Sequence, residues 1–231
     1  MRGIGFIGGE GPSPETARRL AGGAGLIAAA DSGLMAAEAA GLRPHWIVGD
    51  MDSLDDRGRL KKYPPDRVRI YDRAKDDTDT ELALSLLWKE GCNEVWLLGG
   101  GGGRLDHILA LRALFERPRP PNRWITAGED VRCLEGGEIL ELEAASIPAP
   151  VSGPAGASAN GPAGGGPFLV SVFPLGEGPW EAESRGLRWP LGGLEWNRGS
   201  FGVSNEAPAG ACSLRSLRGR FMVVIQYGHL F

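Results

Sequence analysis

The chain has 231 residues, 25 Lys and Arg against 29 Asp and Glu, a net charge of −4 and an apolar share of 42%. This length holds one large domain or two small ones, and the charge balance gives no broad basic field, which excludes nucleic acid as the default partner. Cys92, Cys133 and Cys212 are odd in number and far apart with no CxxC pair, so neither a disulfide frame nor a zinc site is expected and a reducing cytoplasm fits; no run approaches the roughly 18 apolar residues of a membrane span, and "MRGIGFIGGEGP" is too broken by glycine for a signal-peptide core.

In chain order, "IGFI" (4–7) reads as a strand and "SPETARRLA" as a helix with Ser13 as N-cap and Pro14 in its first turn. "GLIAAA" (25–30) is a second strand ending at Asp31, and "LMAAEAAG" a short helix closed by Gly41. "HWIVGD" is a third strand ending at Asp50, and "RVRIYD" (67–72) a fourth. The strongest helix is "TDTELALSLLWKEG", with Thr78 and Glu81 as a capping box and Gly91 as the stop. "EVWLL", five glycines (99–103), the helix "RLDHILALRALFE" and the strand "RWITA" (123–127) follow. Alternating βα units with apolar strands imply an α/β domain over 1–128, a doubly wound, mostly parallel sheet covered on both faces.

Helical periodicity stops near residue 129. "VRCLE", "EILELE", "FLVSVFPL", "GLRWPL" and "RFMVVIQYG" read as strands separated by Gly and Pro, which predicts an all-β sandwich over 129–231. "RSLRGR" (215–220) reads as a solvated basic cluster. The Ala/Gly/Pro/Ser stretch over 144–167 cannot bury enough surface to offset its ordering entropy and is expected to be a disordered insertion.

The acids fall at particular places on this map. Asp31 follows the second strand, Asp50 and Asp52 the third, Asp72, Asp76, Asp77 and Asp79 the fourth, and the glycines, Arg104 and Asp106 the fifth. In a parallel sheet these positions share one edge, outside the carboxyl ends of the strands, where ligands of open α/β sheets bind. Like charges about 5 Å apart repel by about 1 kcal/mol in water and about 3 near a protein surface. A hard divalent cation that prefers oxygen ligands and bridges to phosphates makes such convergence favourable, so a Mg²⁺-assisted phosphate site is expected. Asp55, Asp56, Asp72 and Asp77 read as solvated charges, and Asp79 alone reads equally as a helix-dipole partner. "DMDSLDDRGRLK" is not an EF-hand, because Asp55 stands where glycine is needed and Lys61 where glutamate should close the loop. "GIGFIG" lies inside the first strand, not after it, and is no dinucleotide fingerprint. The glycine run sits correctly between strand and helix. It lacks the Walker lysine, yet Arg104 at the helix start favours a phosphate cradle over a bare turn. His107 by itself reads as a structural histidine.

"ADSG" (30–33), "PHWIVGDMDS" (44–53), "KDDTDTELA" (75–83) and "GGRLDH" (102–107), with the later "GLRWPL" (186–191) and "GVSNEA" (202–207), stand in an order that resembles the thiamine pyrophosphokinase family. The resemblance covers nearly the whole chain apart from the Gly/Pro stretch. It implies an α/β catalytic domain, a C-terminal β-sandwich, a homodimer with thiamine held where subunits meet, and a Mg²⁺-dependent conversion of ATP and thiamine to AMP and thiamine diphosphate. It further implies Asp50, Asp52 and Asp79 as metal ligands and catalytic groups together with Arg104. Lys75, Asp76, Thr78, Gly102, Gly103, Arg104, Asp106 and His107 follow as ATP or phosphate contacts, and Asp31, Ser204 and Asn205 as thiamine contacts. Some members place an aromatic ring soon after the Ser-Asn pair. Here Glu206, Ala207 and Pro208 follow, so stacking on thiamine falls to Trp189 or Trp196 or is not used. The competing readings are a diphosphokinase for another hydroxymethyl heterocycle, such as a pterin, and a non-catalytic nucleotide- or thiamine-binding regulator.

Overall fold

The structure, a computed structural model, describes residues 1–144 and 167–226. Apart from its two end residues, the stretch expected to be a disordered insertion lies outside the described residues. Two compact units are present, Met1–Leu114 with Pro121–Ala127, and Phe115–Pro120 with Gly128–Phe231. The expected divide at 128/129 assigns Phe115–Pro120 to the first unit instead. The segment goes with the second because Arg220 donates to the carbonyls of Phe115 (3.1 Å) and Arg117 (2.7 Å), and Glu116 accepts from the Gly176 amide.

In the first unit the elements are β1 (Arg2–Phe6), α1 (Pro14–Ala21), β2 (Leu26–Ala30), α2 (Gly33–Ala39), β3 (Trp46–Gly49), β4 (Val68–Ile70), α3 (Asp79–Lys89), β5 (Glu94–Leu98), α4 (Leu105–Leu114) and β6 (Arg123–Ile125), with 3₁₀ turns at Arg57–Lys62 and Pro65–Arg67. The strands lie in the order β6-β5-β1-β2-β3-β4, and every pair is parallel. The chain runs outward from β1 in both directions, so the order reverses at β1/β5. Helices start where the local chemistry predicts. The Thr16 amide donates to Ser13 Oγ (3.2 Å) at α1, and Thr78 and Glu81 form both halves of a capping box at α3.

Alternation along β1 explains the two-faced packing. Ile4 and Phe6 join Ala17, Ala21, Leu34 and Ala37 of α1 and α2 in one buried cluster. Gly3 and Gly5 point the other way, where a Cβ would lie 3.1 and 3.6 Å from Leu87 of α3. Gly3 and Gly5 of "GIGFIG" thus let α3 approach the sheet closely, a packing role inside the strand.

The second unit holds two antiparallel sheets. One is β11 (Gly202–Ala207), β9 (Phe168–Leu175), β13 (Arg220–Gln226) and β7 (Glu129–Leu134), in that order. The other is β10 (Glu181–Arg185), β12 (Ala211–Arg218) and β8 (Ile139–Glu143). Phe168, Val170, Val172, Phe221, Val223 and Ile225 from the first sheet, and Leu142, Ala182, Cys212 and Leu214 from the second, fill one apolar cluster. Two expectations need correction. "GLRWPL" is a loop, because Pro190 has no amide to give and Asn205 takes the Trp189 backbone instead. "EAESR" is a strand whose polar composition concealed it. The basic cluster at 215–220 has Arg215 and Arg218 exposed, as expected, on the outward side of the end of β12, where Leu214 and Ser216 face inward.

Candidate active site

The carboxyl ends of β1 to β5 open into one cleft of about 780 Å³. Its floor carries Asp31, Asp50, Asp52, Lys75 and Asp79, and its walls carry the segment 76–80, Gly100–Arg104, Asp106 and His107. The expected cluster of acids is present, with one exchange of members. Carboxylate oxygens of Asp31, Asp50 and Asp79 all lie within 4.8 Å of one another. Asp52 is not in that group, contrary to expectation. Its carboxylate pairs with Arg73 (3.0 Å) and accepts from Ser53 Oγ (3.0 Å). Asp31, expected as a substrate contact, is the third member of the group, and Asp52 lines the cleft beside it.

Backbone geometry produces this arrangement. Asp31 itself has φ 45° and Met51 φ 61°, left-handed values that non-glycine residues adopt at a cost and that cluster at functional sites. Gly49, at φ 139°, removes the side chain that would otherwise separate the acids. A Cβ there would stand 3.2 Å from Asp31 Cβ and 3.1 Å from Asp79 Cγ. Asp31 is anchored by its amide to the Val48 carbonyl (2.9 Å), and Asp50 Oδ1 accepts from the Asp52 amide (3.1 Å).

Lys75 is the cation of the floor, with Nζ 3.0 Å from Asp79 Oδ1 and 3.8 Å from Asp50 Oδ2. Hydrogen bonding by the Asp52 amide, aided by the charge of Lys75, holds the Asp50 carboxyl below the usual range. Burial pushes Asp79 up, against the opposing pull of Lys75. Burial works against the Lys75 charge, but Asp79, Asp50 and Asp31 outweigh it and raise its pKa. Three carboxylates and one ammonium leave two negative charges within this set. Asp31 is 7% exposed, and its Oδ1 is buried with no hydrogen-bond partner among the described residues. A buried, unpaired carboxylate oxygen is costly to keep. Hard oxygen donors, a surplus of two negative charges and an unmet lone pair together fit a divalent cation such as Mg²⁺.

The glycine run is more committed than the sequence suggests. Gly100 N donates to Gly8 O (2.7 Å), and Gly101 exchanges backbone hydrogen bonds with Glu10 (2.7 and 2.9 Å). A Cβ on Gly99 would stand 2.3 Å from Ile7 O. Gly99, Gly100 and Gly101 fasten β5's exit to β1's, and Gly100 to Gly103, the last two at φ 63° and 71°, line the cleft. Arg104 and Asp106 are exposed and paired, Nε to Oδ1 at 3.1 Å. That pairing lowers the Asp106 pKa and raises that of Arg104. His107 is exposed on the cleft side of α4, so the structural reading of it does not hold. Asp76 is exposed at the rim. Thr78 Oγ1 accepts from the Glu81 amide (3.3 Å) as the α3 cap, which leaves its hydroxyl proton to donate. Asp55 and Asp56 are structural: Asp55 grips Arg59 (2.8 Å), and Asp56 accepts from the Gly58 amide (2.7 Å).

In the second unit the Ser-Asn pair divides. Ser204 sits exposed at φ 56° where β11 slips register against β9. Asn205 is 7% exposed, and its amide is engaged elsewhere. Oδ1 accepts from the amides of Trp189 (3.1 Å) and Glu206 (2.9 Å), and Nδ2 donates to the Trp189 carbonyl (2.6 Å). Asn205 therefore clamps the 186–191 loop through both polar atoms of its side-chain amide. Trp196 is core, edge-on to Phe221 at 5.2 Å, whereas Trp189 is 53% exposed.

Residues 17–123 match the family model for the thiamin pyrophosphokinase catalytic domain. Thiamine pyrophosphokinase of Bacillus subtilis (strain 168) is 35% identical over 81 residues, a match spanning 34% of this chain and 37% of that protein. Among solved structures, a thiamin pyrophosphokinase from Geobacillus thermodenitrificans is similar with a TM-score of 0.71 at 24% identity, covering 99% of this chain and 98% of that one. The Candida albicans enzyme follows at 0.67 and 15%, covering 97% and 89%. These structural likenesses establish a shared fold. The acids, Lys75 and the glycine run all fall within the matched segment, which is similar to the thiamin pyrophosphokinase catalytic domain.

Proposed function

We propose that the chain transfers a pyrophosphoryl group from ATP to the hydroxyl of thiamine, giving thiamine diphosphate and AMP. The observation that carries this reading is the convergence of Asp31, Asp50 and Asp79 around Lys75, in a cleft whose glycine-rich wall opens α4. The thiamine oxygen forms a bond to the β-phosphorus as the bond from that phosphorus to the bridging oxygen of AMP breaks. The hydroxyl proton passes to a carboxylate of the cleft, one of Asp50, Asp76 and Asp79. Such a reaction asks the protein mainly to position reactants and to counter developing charge.

Asp31, Asp50 and Asp79 would hold Mg²⁺, and the ion would supply neutralisation of phosphate charge. Lys75 and Arg104 bring positive charge to the phosphates. Gly102 and Gly103 let the backbone come close, and Asp76, Thr78, Asp106 and His107 line the path of the nucleotide. Ser204 is the thiamine contact retained from the Ser-Asn pair. A homodimer with thiamine held between subunits is part of the reading, supported by exposed Trp189, Leu194, Phe201 and Val203 on the second unit. A cytoplasmic setting is likewise part of it, supported by three free thiols. No helix among the described residues is long and apolar enough to cross a membrane.

The test mixes protein, ATP, Mg²⁺ and thiamine and follows AMP and thiamine diphosphate by chromatography, with hydroxymethylpterin in a parallel reaction. Equal AMP and thiamine diphosphate from thiamine alone is the expected result. Binding without AMP release, or turnover of the pterin instead, would refute it.

A further inference from the structure

The turn that carries Asp50 is held by a group outside the acid cluster. Arg57 reaches back from the start of the first 3₁₀ turn. Its Nε donates to the Met51 carbonyl (3.0 Å) and its Nη2 to the Asp50 carbonyl (3.2 Å). One planar fork thus spans two successive carbonyls, a geometry that lysine, with a single ammonium, cannot reproduce. The residue between those carbonyls, Met51, has φ 61° and a fully buried side chain. Burial fixes Met51 from below and Arg57 fixes the peptide groups from above. Asp50 sits where both constraints meet, with its carboxylate turned to Asp31 and Asp79 and Asp52 turned away to Arg73.

We propose that Arg57 is a positioning residue for Asp50: by binding the Asp50 and Met51 carbonyls it holds the strained turn that aims the Asp50 carboxylate into the cation-binding trio. This rests on the metal role proposed above for Asp31, Asp50 and Asp79. Arg57 touches no carboxylate oxygen of the trio and is not itself among the residues that line the cleft; it reaches Asp50 and the fully buried Met51 only through their carbonyls. Its loss should loosen the aim of Asp50, and it also leaves the Met51 carbonyl without its donor, a cost that thermal unfolding reads separately. Groups that orient metal ligands from outside the first layer typically change affinity or activity about 10- to 100-fold when lost.

The experiment titrates Mn²⁺, without nucleotide, into wild-type protein, Arg57→Ala, Arg57→Lys and the control Asp50→Asn by calorimetry, with thermal unfolding of each. Mn²⁺ affinity should fall about tenfold in R57A, lie between wild type and R57A in R57K, and be lost in D50N, each measured at a temperature where its unfolding curve shows it folded, while the KM of R57A for thiamine is unchanged. Mn²⁺ affinity in R57A within twofold of wild type overturns the inference and leaves the metal site standing. No Mn²⁺ binding by the wild type overturns the metal site, and the inference with it. If R57A does not fold, R57K decides: a native-like fold with wild-type Mn²⁺ affinity refutes the need for the fork.

Discussion

Replacing Gly49 by alanine tests the geometry of the acid cluster directly. Gly49 occupies φ 139°, where an L-residue is strained, and its Cβ would stand 3.1 Å from Asp79 Cγ and 3.2 Å from both Asp79 Oδ1 and Asp31 Cβ. The backbone term is about 1–3 kcal/mol, and crowding into a packed site adds about 1–3 kcal/mol. At about 2–4 °C per kcal/mol for a chain of this size, a total near 3 kcal/mol lowers the melting temperature by roughly 6–12 °C. Asp31 and Asp79 must also move apart by a few tenths of an ångström. A misplacement of about 1 Å can cost 100-fold, so turnover should fall about tenfold. Gly91→Ala is the control. Gly91 also has positive φ (87°), but its Cβ would meet nothing within 4 Å, and it lies beyond the far end of α3. Differential scanning fluorimetry and AMP release should show G91A losing stability alone and G49A losing both. Wild-type turnover in G49A, or a loss no greater than in G91A, would refute the claim that Gly49 sets the approach of the acids.

Asp31→Asn should lower turnover at least about 100-fold and raise the Mg²⁺ needed for half-maximal rate, while Asp52→Asn loses less; equal losses in steady-state assays would return Asp52 to the trio. Asn205→Ala leaves the Trp189 backbone unpaired and should cost about 1–3 kcal/mol; iodide quenching, compared with a Trp189→Phe background, should show a more mobile Trp189, and unchanged quenching would contradict the clamp. Burial pushes the thiols of Cys133 and Cys212 up to about 12. The folded state keeps those protons longer than the unfolded chain does, so this contribution to stability is intact below about pH 9 and declines as pH rises above it. Both thiols should stay unreactive to a disulfide reagent at pH 8 until the chain is denatured, and rapid native labelling at either would show that they are accessible.

Much of the first unit could be read from local chemistry. Ser13, Thr78 with Glu81, and Gly91 mark helix ends through hydrogen bonds that need only neighbouring residues, and the boundaries fall within a residue or two of expectation. The second unit was harder, because "EAESR" and "ACSLRSLR" become strands through pairing with each other, and such pairing leaves only a weak period-two trace in polar sequence. The acids at the strand ends, and hence the shared edge, follow from the βα alternation. Which acids meet does not. Asp50 and Asp52 are two residues apart and look equivalent in the sequence, yet a left-handed Met51 sends one into the trio and the other to Arg73. The hold of Asn205 on the Trp189 backbone is likewise invisible in the sequence. Residue order therefore determined the element types and the edge at which ligands bind, since both depend on short-range periodicity and capping. The direction of each side chain at that edge was decided by tertiary structure, because it depends on backbone torsions, on the space left by Gly49 and on partners far away in the chain.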